Sequence, residues 1–419
     1  MKAVILAAGK GTRMGPLTEN RPKVMLPIAN RPILEHIIVA MKAAGIREFF
    51  IVVGYLKEKI IGHFKDGSAL GVRIEYIEQQ AQKGTADAIG VAANSVQERF
   101  LVTNGDVLAG ISDIRKIVNA RGDVILAAKK VASPQEYGIL YVKGKKVEKL
   151  VEKPRESTSD LANAGIYVFE PSIFDAINNT APSPRGEYEI TDSIQAMIDS
   201  GKKVSYSPLE KWHDIGFPWH VLEANEIMLK SGEDIQWEIR GEVEHYATLQ
   251  GNVAAGKGTI IRNGAYITGP VIIGNNCDIG PNCYIRPGTS IGNDVRIGNA
   301  VEVKNSIVMD GTHIGHLSYV GDSIIGEKCN FGAGTKVANL RHDGRTVIVE
   351  LGGRKFDSKR KKLGVIMGDN VHTGINSMFN VGSAVAGGAY IDPGEFVRGN
   401  FPAKKVLSGK NEKCCEIKK

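Results

Sequence analysis

The sequence predicts an α/β chain in two parts, a doubly wound, mostly parallel sheet followed by a parallel β-helix. Three observations predict it. Apolar runs of buried-strand type alternate with helical patterns through the first half. The first of those runs opens onto a glycine-rich turn. From about Gly251 onward, aliphatic residues recur every six positions, a period that is neither helical nor a simple alternation.

The run Val4-Ile5-Leu6 fits a buried parallel strand. Residues 32–44 place Ile33, Leu34, Ile37, Ile38 and Met41 at helical spacing, and Gly45 stops that helix. Residues 49–53 form the second strand, closed by Gly54-Tyr55. A short helix over 57–64 and strands over 72–77, 101–103 and 124–128 continue the alternation. Ligands of such a sheet gather at the carboxyl ends of its strands. Residues 218–230 read as a helix with Val221, Leu222, Ile227, Met228 and Leu229 available for one apolar side, ended by Ser231-Gly232.

The repeat runs Ile261, Ile267, Ile273, Ile279, Ile285, Ile291, Ile297 and Val303, with glycine following at 274, 280, 292 and 298. It slips by one between Met309 and Ile314 and again between Val320 and Ile325. It resumes at Phe331 and Val337 and returns weakly at Val385, Ile391 and Val397. Beyond Ser408 there is no pattern, and a loose tail is expected.

At 419 residues the chain has room for about two or three domains. Its net charge of +7 suits phosphate-bearing substrates without specifying any. No basic stretch is interleaved with aromatics, which argues against nucleic acid. Five cysteines, Cys277, Cys283, Cys329, Cys414 and Cys415, form no CxxC pair, so neither a disulfide framework nor a zinc site is expected. Cys277 and Cys283 fill equivalent slots of adjacent repeats and read as small buried residues. No charged-then-apolar leader opens the chain, and no apolar run approaches ~18 residues. A soluble cytoplasmic protein with no membrane partner is the expectation.

In the turn Gly9-Lys10-Gly11-Thr12-Arg13-Met14-Gly15, glycines let backbone N–H groups approach phosphate oxygens. Arg13 and Lys23 add fixed positive charge. A dinucleotide-binding turn is the competing reading, because a lone GxG is weak. Met14 stands where its third glycine belongs, and Pro22-Lys23 interrupts what would be its first helix. Thr103-Asn104-Gly105-Asp106 puts a carboxylate at a strand end, suited to Mg²⁺ and equally to a turn. Asp214, within Trp212-His213-Asp214-Ile215-Gly216, supplies a second carboxylate; its neighbour His213 reads as structural.

The pattern LAAGxGTRM followed by Pro-Lys resembles the signature of the sugar-1-phosphate nucleotidylyltransferases. The resemblance implies a Rossmann-like domain over 1–230. It implies nucleotide contacts from Leu6, Ala8, Gly9, Gly11, Thr12, Gln80, Gly84 and Thr85, although Gly84-Thr85 alone is an ordinary helix start. Gly138, Glu152, Lys153 and Asn163 would hold a sugar phosphate; Glu152 and Lys153 alone are equally a solvated ion pair. Asp106 and Asp214 would ligate Mg²⁺. Arg13 would stabilise the leaving pyrophosphate, and Lys23 the α-phosphate.

The hexapeptide repeat resembles the left-handed β-helix of acyl- and acetyltransferases, a family of trimers with sites shared between subunits. Residues 315–323, 330–335 and Asn339 are similar to the acetyltransferase site of the bifunctional glucosamine-1-phosphate N-acetyltransferase/N-acetylglucosamine-1-phosphate uridylyltransferase family, in its archaeal two-domain form. The resemblance implies a linker over 231–250, an acetyltransferase domain over 251–405 and a tail over 406–419. His316 would be the general base, a role suited to imidazole near neutral pH. Arg286 and Lys304 would hold the sugar phosphate. Tyr319, Asn330 and Asn339 would contact the sugar, and Ala333 and Arg345 acetyl-CoA. The loop after Asn339, Leu340-Arg341-His342-Asp343-Gly344-Arg345, departs from the bacterial pattern. The expected substrates are UTP, a sugar-1-phosphate and acetyl-CoA, with Mg²⁺ and a homotrimer. Two other readings compete: a nucleotidylyltransferase on a purely structural stalk, and a regulatory subunit. His316 with Tyr319 and Asn339 disfavours the first; Arg13, Lys23, Asp106 and Asp214 disfavour the second.

Overall fold

The computed structural model describes residues 1–233, 235–402 and the strand Val406–Leu407. The expected tail beyond Ser408, with Cys414 and Cys415, lies outside the described residues. The chain forms two compact units. One comprises Met1–Lys10, Pro22–Met25 and Ile33–Ile215; the other comprises Gly11–Arg21, Leu26–Pro32 and the described residues from Gly216 onward.

The first unit is built on a sheet whose strands run in the order Arg73–Glu78, Glu48–Val53, Lys2–Ala7, Phe100–Asn104, Leu161–Phe169, Val124–Lys130, Val204–Pro208, Lys146–Glu152 and Gly138–Lys143. The first four are parallel, as expected from apolar strands separated by helices. Val4, Ile5, Phe49, Val52, Leu101 and Val102 are buried in its centre. Helices Ile33–Ala43 and Lys57–Phe64 fall where their spacing placed them.

The sheet is less parallel than the sequence suggested. Leu161–Phe169 runs antiparallel to both Phe100–Asn104 and Val124–Lys130. A parallel neighbour needs a crossover connection, usually a helix. Here the chain between Val124–Lys130 and Leu161–Phe169 is instead spent on an antiparallel hairpin, Gly138–Lys143 with Lys146–Glu152.

In the second unit, three all-parallel sheets form the faces of a left-handed β-helix, with nine, eight and eight strands among the described residues. One coil takes 18 residues, as Ile261, Ile279 and Ile297 show by standing opposite one another. Two coils are one residue short: Ile314 opposes Ile297, and Phe331 opposes Ile314. The first deletion falls one step earlier than the sequence suggested. Val308, opposite Ile291, is the inward residue, and Met309 lies just beyond its strand. Cys277, Cys283 and Cys329 are free and buried in the stack. Burial pushes the Cys277 thiol up to about 11. Residues 338–364 leave the coil, carrying the hairpin Ile348–Leu351/Arg354–Asp357, and the coil resumes at Ile366–Met367. Met367 and Phe379 fill the stack where the sequence repeat looked weak.

Candidate active sites

In the first unit, a polar cleft brings together Thr85, Gly138, Glu152, Asn163 and Asp214 from the predicted set. Gly138 pairs opposite Glu152 across the hairpin. A Cβ on Gly138 would lie 2.9 Å from Glu152 Oε2 and 3.2 Å from Thr191, so this position excludes larger residues. Asn163 sits beside a bulge, where the register of Leu161–Phe169 shifts before Tyr167. The bulge re-aims the side chain. Asn163 donates to the Tyr167 hydroxyl at 2.8 Å and accepts the Gly165 amide at 3.2 Å. Gly165 has φ +73°, and a Cβ there would lie 2.6 Å from Asn104 Nδ2.

Glu152 accepts Arg185 Nη2 at 3.2 Å, while Lys153 Nζ stays 3.8 Å away. Arg185 also donates to Glu189 at 2.6 Å. Burial raises the Glu152 pKa above the ordinary 4.5; Lys153 and Arg185 oppose the rise and Glu189 adds to it.

Asp106 and Asp214, distant in sequence, are brought together by a two-stranded ribbon. Trp212–Asp214 pairs antiparallel with Val107–Ala109, setting Asp214 opposite Val107, and the Ile215 amide donates to the Asp106 carbonyl at 3.0 Å. Lys23 is 8% exposed, and its ammonium lies 2.5 Å from Asp106 Oδ2. The structure therefore joins a predicted phosphate ligand directly to a predicted metal ligand.

The strand end Leu6-Ala7-Ala8 is threaded closely by its neighbours. The Gly105 amide donates to the Leu6 carbonyl, and the Tyr55 amide to the Ala8 carbonyl. A Cβ on Gly9 would meet nothing within 4 Å, leaving the turn open to a ligand. Of the nearby glutamines, Gln80 is exposed, Gln79 is tied to Asp87, and Gln82 donates to Ala8 O at 2.7 Å. Gly84 has φ +121°, and a Cβ there would lie 2.5 Å from the Tyr188 carbonyl oxygen. Thr85 Oγ1 accepts the Ile190 amide at 3.0 Å. Gly84-Thr85 thus docks the loop before helix Ile190–Asp199 as well as lying near the cleft.

In the second unit, Gly11 adopts a left-handed turn into the 3-10 segment Thr12–Thr18. Thr12 and Arg13 are exposed while Met14, Pro16 and Leu17 are buried. The Arg13 guanidinium lies 5.3 Å from the Phe217 ring centroid.

On the β-helix, Arg286, Lys304 and Gly321 occupy successive coils. Arg286 Nη1 pairs with Glu302 at 2.8 Å and its guanidinium lies over the Tyr284 ring. Lys304 Nζ lies 3.0 Å from Asp322 Oδ2. Asp322 also accepts Asn305 at 2.8 Å and Asn339 at 2.5 Å. Asn339 donates to the Tyr319 hydroxyl at 3.2 Å. A Cβ on Gly321 would lie 2.6 Å from that hydroxyl, which explains the glycine. His316, exposed, ends the strand His313–His316 on another face, and its carbonyl accepts the Gly334 amide beside Ala333. Asn330 shares that face, opposite His313 and His372. One chain thus groups Lys304, Tyr319 and Asn339 around Asp322, and sets His316, Asn330 and Ala333 on a neighbouring face and corner. Arg345 is exposed in the excursion loop, its amide held by Asp343.

Residues 2–231 match the nucleotidyl transferase family, and residues 267–383 match the GMPPB C-terminal domain. The bifunctional protein GlmU of Methanococcus maripaludis is 43% identical over 394 residues, 93% of each chain. A bifunctional sugar-1-phosphate nucleotidylyltransferase/acetyltransferase from Sulfurisphaera tokodaii is 36% identical, over 95% of this chain and 97% of its own. This chain belongs to the bifunctional GlmU family. A solved structure from Bacillus anthracis, described as a glucose-1-phosphate thymidylyltransferase in complex with sucrose, is 28% identical with a TM-score of 0.51 and covers 57% of this chain and 97% of that one.

As a GlmU-family enzyme, the chain is a nucleotidylyltransferase and an acetyltransferase. Sequence reasoning missed Glu189, Thr191 and Trp212 of this GlmU-type cleft, and Arg185, which pairs with its Glu152 and Glu189. The signal for Arg185 and Glu189 was a charged stretch, Arg185-Gly186-Glu187-Tyr188-Glu189, just ahead of the apolar helix that carries Thr191, while Trp212 stands in the same motif as Asp214. It also missed Asp322, whose signal was an aspartate inside an interrupted repeat.

Proposed function

We propose that this GlmU-family chain makes UDP-N-acetylglucosamine in two steps. The β-helix N-acetylates glucosamine-1-phosphate from acetyl-CoA. The domain over 1–230 then couples the product to UTP and releases pyrophosphate. The observation that carries the sugar assignment is the Asp322 cluster, where a buried carboxylate holds Lys304 and Asn339 at one corner.

For nucleotidyl transfer, the sugar-1-phosphate oxygen attacks the α-phosphorus in line, so the protein's work is positioning and charge neutralisation. Glu152, Asn163 and Gly138 orient the sugar. The turn, open at Gly9 and left-handed at Gly11, offers backbone N–H groups to phosphates. Lys23 neutralises the α-phosphate, and Arg13 the departing pyrophosphate. Asp106, in the turn before Val107–Ala109, and Asp214, at the end of the strand paired with it, are hard oxygen donors that would hold Mg²⁺. Bound there, Mg²⁺ would offset triphosphate charge.

For acetyl transfer, His316 takes a proton from the sugar amine as it attacks the thioester carbonyl, and CoA leaves as the thiol. Arg286 and Lys304 hold the phosphate, Tyr319, Asn330 and Asn339 the sugar. Ala333 and Arg345 lie on the acetyl-CoA path. The division of these residues between faces supports a homotrimer that completes each site. No helix among the described residues is long and apolar enough to cross a membrane, and we place the enzyme in the cytoplasm.

Thiol release from acetyl-CoA with glucosamine-1-phosphate, without nucleotide or Mg²⁺, tests the first step. Sugar-dependent release is expected. No release with either glucosamine- or galactosamine-1-phosphate would reduce the β-helix to a scaffold. Pyrophosphate release from UTP against dTTP, with N-acetylglucosamine-1-phosphate, tests the second step.

A further inference from the structure

The glycine-rich loop is read here as the nucleotide loop, yet Gly11–Arg21 belongs to the same compact unit as the β-helix. One end is held by a β-helix carboxylate, the other by an aromatic pair that includes the excursion hairpin. At one end, Arg21 is 7% exposed and Asp369 equally so. Arg21 Nη2 lies 2.7 Å from Asp369 Oδ1 and 2.8 Å from Oδ2, and 3.0 Å from Glu327 Oε1. Asn20 also donates to Asp369, and Glu19 accepts the Gly387 amide at 2.9 Å. Asp369 itself is fixed by the Glu327 amide at 2.9 Å. At the other end, the Arg13 guanidinium stands over Phe217, whose ring packs at 5.0 Å on Phe356 of the excursion hairpin. Between the two, Gly15 has φ +57°, and a Cβ there would lie 2.7 Å from Leu351 Cδ2 of the same hairpin.

A surface ion pair would tolerate such an arrangement anywhere. A buried one holds its geometry only when its partners are fixed, and loss of one partner strands the other charge. The stiff β-helix supplies that fixed partner. A cation seated on an aromatic face likewise gains orientation from whatever holds the ring.

We propose that Asp369 and Phe356 are positioning residues for nucleotidyl transfer: a β-helix carboxylate that holds the loop carrying Arg13, and an excursion-hairpin ring that backs the Phe217 ring beneath Arg13. The inference rests on the nucleotidylyltransferase reading above. It makes the β-helix part of the first active site's support, independently of acetyl transfer.

The test uses full-length Asp369→Asn, Asp369→Glu and Phe356→Ala. Pyrophosphate release from UTP and N-acetylglucosamine-1-phosphate, thiol release from acetyl-CoA, and the melting temperature are measured on the same preparations. Small misplacement of a reacting group can cost up to about a hundredfold. The expected result is a fall of about tenfold or more in nucleotidyl kcat for Asp369→Asn and Phe356→Ala, partial recovery in Asp369→Glu, and acetyl transfer within about twofold of wild type. An unchanged nucleotidyl kcat overturns the proposal. So does a parallel fall of both activities with the melting temperature, which marks a structural role alone. Failure of the underlying reading shows separately, as absence of pyrophosphate release in the wild-type enzyme, and takes the inference with it.

Discussion

Asp322 is 2% exposed and accepts hydrogen bonds from Lys304, Asn305 and Asn339. On the proposed reading of Lys304 and Asn339 as sugar-phosphate ligands, a carboxylate so placed would orient them. Asp322→Asn keeps the shape and removes the charge. Acetyl transfer is expected to fall about tenfold or more, with pyrophosphate release unchanged; equal loss of both would mark a folding defect instead. His316→Ala is expected to abolish acetyl transfer and spare nucleotidyl transfer. In the first cleft, burial holds the Glu152 pKa above 4.5. The folded chain therefore binds this proton more tightly than the unfolded chain. The resulting stabilisation is complete below the ordinary carboxylate value and lost as pH rises through the folded one. With Glu152 in its proposed role as an ionised sugar ligand, kcat/KM for nucleotidyl transfer should decline on the acid side at a pH above 4.5. Glu152→Gln should lower activity and flatten that limb; an unaltered limb would assign it to another group.

At the scale of elements, Gly84 separates a structural role from a binding one. Its positive φ and the Tyr188 backbone leave no room for a Cβ. Gly84→Ala is expected to cost about 1–3 kcal/mol in denaturant unfolding. Full stability with only a raised KM for UTP would return Gly84 to the nucleobase. In the β-helix, Ile297 is fully buried between Ile279 and Ile314. Ile297→Ala should destabilise by about 2–5 kcal/mol, because stacked coils above and below cannot close the cavity. The six-residue aliphatic period made these elements readable. Each coil needs one inward side chain per face, whatever happens elsewhere in the chain. The shortened coils were harder to place, because Val308 and Met309 are both apolar and only the stack decides which points inward.

At the scale of the whole molecule, the three-faced helix carries exposed Tyr266 and Tyr284 in adjacent coils of one face. A trimer would cover such a face, and sedimentation equilibrium should give three times 45.2 kDa. A monomer with full acetyl transfer would show that one chain completes the site. The chain also crosses between compact units within its first thirty-three residues, so Lys23 and Arg13, close in sequence, belong to different ones. A boundary drawn from composition near residue 230 has no access to that exchange.

The sequence by itself determined the two architectures and the nature of both chemistries. Alternating apolar runs, a glycine-rich turn and a six-residue period are local constraints, imposed by backbone geometry before any tertiary contact forms. It also named residues that the fold gathers, such as Gly138, Glu152 and Asn163 in one cleft and Lys304, Tyr319 and Asn339 at one corner. Only the tertiary structure decided how those groups are paired. Lys23 meets Asp106, Glu152 meets Arg185, and Arg21 meets Asp369 across 348 residues. Such pairings depend on which strand ends and coils come to lie side by side. A charged residue's partner is set by that placement, and spacing along the chain carries no trace of it.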